Sequence, residues 1–287
     1  MNKLISANFA RLFKNGAFIL YMIFSGGLSL FMIFMRYADY RENMEYYDNY
    51  LDPEYHTIDG IAFVGLVYIL FAVPVFVGNF VCTEYSDGTI RNKLIVGHKR
   101  TDIYLANLIV CTVGALMGVI LNLLINFTLG TALCGLEILT VSKILKLTLF
   151  SVIAFTSLTA AIVMVSMLVK SKAGASVTTL IATFIMFFMT ISLNNSLTQP
   201  EYYENGAYYD TETQQIKEMP RQKNPDYLTG TKRKVYQTIY DVMPVSHMYE
   251  SAMLSTENVG KFAGYDGIIL VVTTALGIIL FRRKDLK

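Results

Sequence analysis

Six stretches of this 287-residue chain, 17–35, 60–82, 103–130, 147–169, 173–193 and 262–281, are almost uninterruptedly apolar. A helix needs about 20 apolar residues to cross the hydrocarbon of a bilayer, so each stretch is long enough to span. The last is shortened by Asp266 and Gly267 near its start and is still counted. Composition agrees: 54% of residues are hydrophobic and 16% charged, against roughly a quarter charged in soluble domains. The expected fold is an all-α integral membrane protein with six transmembrane helices.

Orientation follows from where Lys and Arg fall. With the N-terminus inside, the inner pieces hold Lys3, Arg11, Lys14, Arg91, Lys93, Lys99, Arg100, Lys170, Lys172, Arg282, Arg283, Lys284 and Lys287 against Glu84, Asp87, Asp102 and Asp285. The first outer loop carries Arg36 and Arg41 against Asp39, Glu42, Glu45, Asp48, Asp52, Glu54 and Asp59. Both termini are therefore expected in the cytoplasm of a multi-pass cell-membrane protein. No short apolar core with a small-residue cleavage site marks a removable signal peptide, so the first span is read as a retained anchor. Residues 1–15 place Ile5, Phe9, Leu12 and Phe13 at helical spacing beside Lys3, Arg11 and Lys14. That pattern predicts an N-terminal amphipathic interfacial helix on membrane lipid.

The net charge of +2 gives no reason to expect nucleic acid as a partner. Cys82, Cys111 and Cys134 form no C-x-x-C pair and are read as packing residues. His56, His98 and His247 fall in three different loops, which excludes a shared metal site and leaves them without a catalytic role. The large region 198–261 is expected outside. It is rich in Tyr (202, 203, 208, 209, 227, 236, 240 and 249) and broken by Pro220, Pro225 and Gly230, and its later part, Val235 to Leu254, is expected to form two short amphipathic helices at the outer surface, interrupted at Pro244. Tyr suits a membrane interface as well as it suits ligand contact.

The segment 84–104 between the second and third spans carries the functional signal. Gly88 and Thr89 open a helix, Ile90 and Leu94 share one face, and Gly97 stops it, before Thr101 and Asp102 restart a helix toward the third span. A helix of roughly eight residues is about 12 Å long, a rigid lever between two spans. Glu84, Gly88 and Thr89 with Ile90, then Leu94, Gly97, Arg100 and Ile103 to Leu105, resemble the E-x-x-x-G-T-[LI] and R-x-x-I-Y-x-x-[KN] stretches of the ABC-2 family, the permease subunits of ATP-binding cassette exporters. The resemblance extends more loosely over the whole chain, 1–287, as one transmembrane domain with a coupling loop at 83–102. It implies a coupling interface with cytoplasmic ABC ATPase subunits at Glu84, Gly88, Thr89, Ile90, Arg91, Leu94, Gly97 and Arg100. It further implies a second permease copy or homologue, and ATP and Mg bound in the partner ATPase rather than here.

Two absences accord with that reading. No G-x-x-x-x-G-K-[ST] phosphate loop occurs, so ATP hydrolysis by that route belongs to another chain and this one is not read as an enzyme. Apart from Asp266, no Asp, Glu, Lys, Arg or His lies inside the six stretches, which argues against an ion-coupled carrier. Gly114, Gly118, Asn122 and Asn126 recur every four residues along the third span, a spacing for helix packing or a subunit interface in preference to a polar pathway. Ser25, Gly26 and Gly27 are read as small-residue packing, and Pro74 as a kink in the second span. The expected function is export of an unidentified substrate, with a peptide or antimicrobial compound as the guess. A membrane sensor or immunity protein that binds an extracellular peptide without transport is the alternative.

Overall fold

The computed structural model describes residues 1–50, 56–203, 207–210, 215–218 and 221–284. Of the features read above, Asp52, Glu54, Pro220, Asp285 and Lys287, and the side chains of Asp48, Tyr208 and Tyr209, lie outside the described residues. Helix α1 (Asn2–Leu12) precedes α2 (Gly16–Glu42), the short α3 (Met44–Tyr50), α4 (Val64–Ser86), α5 (Thr89–Ile95) and α6 (Arg100–Ile125). A single π turn, Asn126–Gly130, continues α6 into α7 (Thr131–Cys134), so the third apolar stretch is one rod. Then come α8 (Val141–Leu168), α9 (Lys172–Leu197), strands β1 (Ala207–Asp210) and β2 (Gln215–Glu218), and α10 (Gly230–Val242), α11 (Pro244–Ala252) and α12 (Val259–Arg283). Six of these rods are long and apolar enough to cross a membrane, so the chain is an all-α membrane protein. The antiparallel β1–β2 hairpin is an addition to the expected helices.

Short polar residues between the apolar stretches set the helix starts. The side chains of Asn15, Thr140 and Ser171 accept from the backbone N–H groups of Phe18, Lys143 and Gly174, capping α2, α8 and α9. Three residues between α8 and α9 leave room only for an antiparallel return. The rods therefore alternate between a basic end, holding α1, α5 and Lys284, and an opposite end holding the hairpin. Helices α4 and α8 lie at the centre: in the most apolar window of α4 67% of residues are buried, against 17% in α12. The outer faces of α2, α9 and α12 expose Ile23, Phe31, Phe34, Phe188 and Val271, the surface a lipid solvent would cover.

At the opposite end one carboxylate organises the backbone. Asp59 is fully buried and accepts from Thr57 Oγ1 at 2.7 Å and from three successive N–H groups, Glu137 at 2.9 Å, Ile138 at 3.1 Å and Leu139 at 2.6 Å. These clip the approach to α4 onto the α7–α8 turn, a backbone nest for an anion. Burial works against its ionisation, but the four donors outweigh it and hold the carboxyl below its usual value of 3.8.

The structure corrects three expectations. The inward face of α1 is Leu4, Asn8 and Leu12, docked on α6, while Phe13 is exposed. The polar Asn8 finds a partner on α6, which hydrophobic spacing alone does not reveal. Second, α11 is not a surface helix: Pro244 at its first turn leads the chain into the bundle against α4, α8 and α9, and Val245, Ser246, His247 and Met248 are fully buried. Third, ionisable groups do enter the bundle. Glu84 is fully buried in the last turn of α4, and Asp266 meets His247 inside the bundle rather than at its edge.

Candidate functional site

The end of α4, all of α5 and the start of α6 form a fastened loop at the basic end. The backbone closes α4 at Gly88, whose φ of +68° is left-handed, and Thr89 Oγ1 donates to the Glu84 carbonyl at 3.1 Å. Helix α5 ends where His98 N donates to Lys93 O at 3.0 Å across Gly97, at φ +94°. This 6→1 bond about a left-handed glycine is the Schellman stop. A side chain at either glycine meets open space but suffers the left-handed backbone penalty, about 1–2 kcal/mol.

Glu84 joins four helices. Its carboxylate receives Arg11 Nη1 of α1 at 2.6 Å, Asn107 Nδ2 of α6 at 2.9 Å, and the Lys93 ammonium of α5. Lys93 also donates to Asn8 Oδ1 at 3.0 Å, and the Arg11 guanidinium lies 4.0 Å above the Phe80 ring. Burial draws the Lys93 ammonium below its usual range, opposed by the Glu84 charge beside it. At the other end of the loop, Arg100 Nη1 donates to the carbonyls of Phe281 at 3.2 Å, Arg282 at 2.9 Å and Lys284 at 2.5 Å. A guanidinium there satisfies the orphan carbonyls and complements the dipole of α12. Lys284 returns the contact to α4 and α8, donating to Tyr85 OH at 3.0 Å and Met167 O at 2.9 Å; burial lowers its ammonium to about 8.

Between these anchors α5 turns Ile90 inward and rests Leu94 on the core. It turns Ile95 and Val96 outward, 81% and 78% exposed, with Arg91 and Gly97 exposed beside them. A cavity of about 320 Å³ opens next to the helix, lined by Glu84, Tyr85, Ser86, Gly88, Ile90, Arg91 and Lys170.

A sequence profile described as ABC-2 family transporter protein matches residues 42–286, most of the chain. The chain belongs to the ABC-2 family. No curated protein and no solved structure matches it. Membrane chains of this family typically work with ABC ATPase partners, and the profile and the six apolar rods together make this a multi-pass membrane subunit of a transporter.

The structure divides the site residues of this ABC-2 chain into two groups. Gly88, Thr89, Ile90, Arg91, Leu94 and Gly97 lie together on α5 and its flanks, whereas the buried Glu84 and the half-buried Arg100 also fasten the loop to neighbouring helices. The bonding roles of Asn8, Arg11, Lys93, Asn107 and Lys284 were not read from the sequence, because they depend on partners 9 to 199 residues away. Asn107 alone had a signal, at the last place of the R-x-x-I-Y-x-x-[KN] pattern. Gly114, Gly118, Asn122 and Asn126 face inward along α6. A side chain on Gly118 would stand 2.4 Å from the Tyr21 ring, Ser25 Oγ donates to Gly118 O at 2.6 Å, and Asn126 Nδ2 to Ala62 O at 2.8 Å. Asn122 Nδ2 reaches Ser29 Oγ at 2.5 Å. This is a seam between α6 and its intrachain neighbours. Among the described residues no group of three or more His, Cys, Asp or Glu is placed to hold a metal.

Proposed function

We propose that this ABC-2 chain is the permease subunit of an exporter and that α5 is the helix through which a separate ATPase, holding ATP and Mg, drives it. The observation that carries the reading is the pair Ile95 and Val96, left almost wholly exposed on a seven-residue helix anchored at both ends. Exposed apolar side chains at the tip of a rigid element are suited to a groove on another protein. A push on α5 reaches α1 and α6 through Glu84 and α12 through Arg100, so the lever has a path into the bundle. The concentration of Lys and Arg at this end supports placing it, with both termini, in the cytoplasm, and the region 198–261 outside. The reading includes a second permease copy or homologue, across whose interface the two halves alternate access, and a peptide or antimicrobial compound as cargo.

The test is purification of the tagged chain from its native host in mild detergent, with mass spectrometry of what accompanies it. A stoichiometric ABC ATPase is expected with the parent and is expected to be lost from Ile95→Asp combined with Val96→Asp, while the variant still inserts. An ATPase retained by that variant would remove α5 from the interface. A signalling kinase in place of an ATPase would favour a sensor.

A further inference from the structure

Positive charge collects at the start of α10. Lys232, Arg233 and Lys234 follow one another close to the helix N-terminus, where the backbone dipole is already positive, and the first turn has neither an acidic residue nor a side-chain cap. Arg233 Nη2 donates to Leu197 O at 3.1 Å, whereas Nη1 is buried without a partner. Among the described residues, no group accepts from the Lys234 ammonium.

Arg233 and Lys234 line a cleft of about 580 Å³ between α10 and the first turns of α12, with Gly230, Asp241, Lys261 and Tyr265. Asp241 is the acid of this lining and is already engaged, by Lys261 and by Gln237 Nε2 at 2.8 Å. Three cations around one carboxylate leave the cleft with two positive charges in excess. The surface below it is apolar. Lys261 and Tyr265 share one face of α12 with Ile268, Val272, Leu276 and Ile279, at spacings of three and four residues, and those four side chains are exposed. Helix α12 is one of the six rods able to cross a membrane, so Lys261 in its first turn stands at head-group level. Tyr265, one turn further in, is a residue type that favours the interface. From Tyr265 to Leu276 the stripe runs about 16 Å, close to half the hydrocarbon thickness of a bilayer.

We propose that the cleft between α10 and α12 binds an anionic phospholipid of the adjoining leaflet, its phosphate held by Arg233 and Lys234 and one acyl chain laid along Ile268, Val272 and Leu276. A phosphate supplies the acceptors that the start of α10 lacks, through charge-assisted hydrogen bonds. The exposed stripe selects a lipid over a soluble anion, because it continues the cationic cleft down the same helix face into the hydrocarbon. A zwitterionic head group brings its own cation to a cleft that already has an excess, so net negative charge is what the site distinguishes. The site stands on its own residues and does not depend on which ATPase drives the chain.

The chain contains no Trp, so Ile268→Trp gives the full chain a single fluorophore on the stripe, and Val272→Trp serves if the first fails to insert. The reporter is reconstituted in phosphatidylcholine vesicles with rising shares of brominated phosphatidylglycerol or brominated phosphatidylcholine, which quench on contact, and the curves give the relative affinity. The anionic lipid is expected to be preferred, and the preference to fall about fivefold for each cation removed, in Lys234→Gln and further on adding Arg233→Gln. Lys234→Gln breaks no side-chain bond and carries the test if the double variant fails to insert. Lys143→Gln with Lys146→Gln removes two cations at the same end, away from the cleft, and is expected to keep the preference. A reporter that shows no preference, a preference unchanged in Lys234→Gln, or an equal loss in the Lys143 and Lys146 variant would overturn the proposal. Loss of the preference on adding inorganic phosphate at constant ionic strength would overturn it too, assigning the cleft to a soluble anion.

Discussion

Glu84 shows how one buried side chain can tie three other helices to the end of α4. Its fully buried carboxylate balances Arg11 and Lys93, whose side chains are 25% and 16% exposed, and removing one partner of a buried ion pair leaves an uncompensated charge. Glu84→Gln is expected to destabilise the detergent-solubilised chain by about 3 kcal/mol, read by thermal unfolding, and adding Lys93→Met to recover part of the loss. Asp59 gives a pH test at the other end. Its carboxyl is held below 3.8 in the fold, so its contribution is fully present above that pH and is lost as the pH falls through the lower, folded value. Asp59→Asn is expected to lower stability at neutral pH, by about 2 kcal/mol for a charged hydrogen-bonding group, and to flatten the acid limb of the stability curve measured against the parent.

At the scale of elements, the short helix α5 owes its shape to its two ends rather than to its seven residues. An isolated helix of this length does not hold in water; left-handed glycines at 88 and 97 close it, and Ile90 pins it to the core. Replacing Gly88 and Gly97 by Val is expected to leave membrane insertion at the parent level and to abolish transport once the cargo is known, with ATPase association as the interim measurement. Helix α11 is short too, yet it is fixed from within. Ser246 Oγ donates to Met243 O at 2.7 Å, and Ser251 Oγ to His247 O at 3.1 Å. These hydroxyls turn back onto local carbonyls, which lets a polar sequence enter an apolar bundle.

For the whole molecule, alternation of six rods puts the α5 loop and the described residues between α9 and α10 at opposite ends, and this makes orientation a single binary question. Ser86→Cys and Thr229→Cys are exposed positions at those two ends. In intact cells an impermeant maleimide is expected to label Thr229→Cys alone, and Ser86→Cys only after permeabilisation. The reverse pattern would turn the chain over and place α5 away from cytoplasmic ATP. The ABC-2 family membership rests on a match to residues 42–286, so it covers α5 and five of the six long rods but neither α1 nor, beyond its last residue, α2.

What the amino-acid sequence determined by itself is whatever depends on local composition and spacing. Apolar length set six helices, the distribution of Lys and Arg separated the two ends, and glycine with a following threonine marked the start of α5. The α6 small-residue stripe was legible as packing for the same reason, since i,i+4 spacing fixes a shared face. What only the tertiary structure decided is which polar groups meet. Glu84 and Arg100 also fasten the loop, which their spacing did not reveal, because their partners come from α1 and from the C-terminal end of α12. His247 read as a loop residue because its local sequence is polar, and it became a buried group only when the hairpin folded back against Asp266 and Ser157. The reason in both cases is that a buried charge is tolerated only beside its complement, and complements distant in sequence leave no periodicity to read.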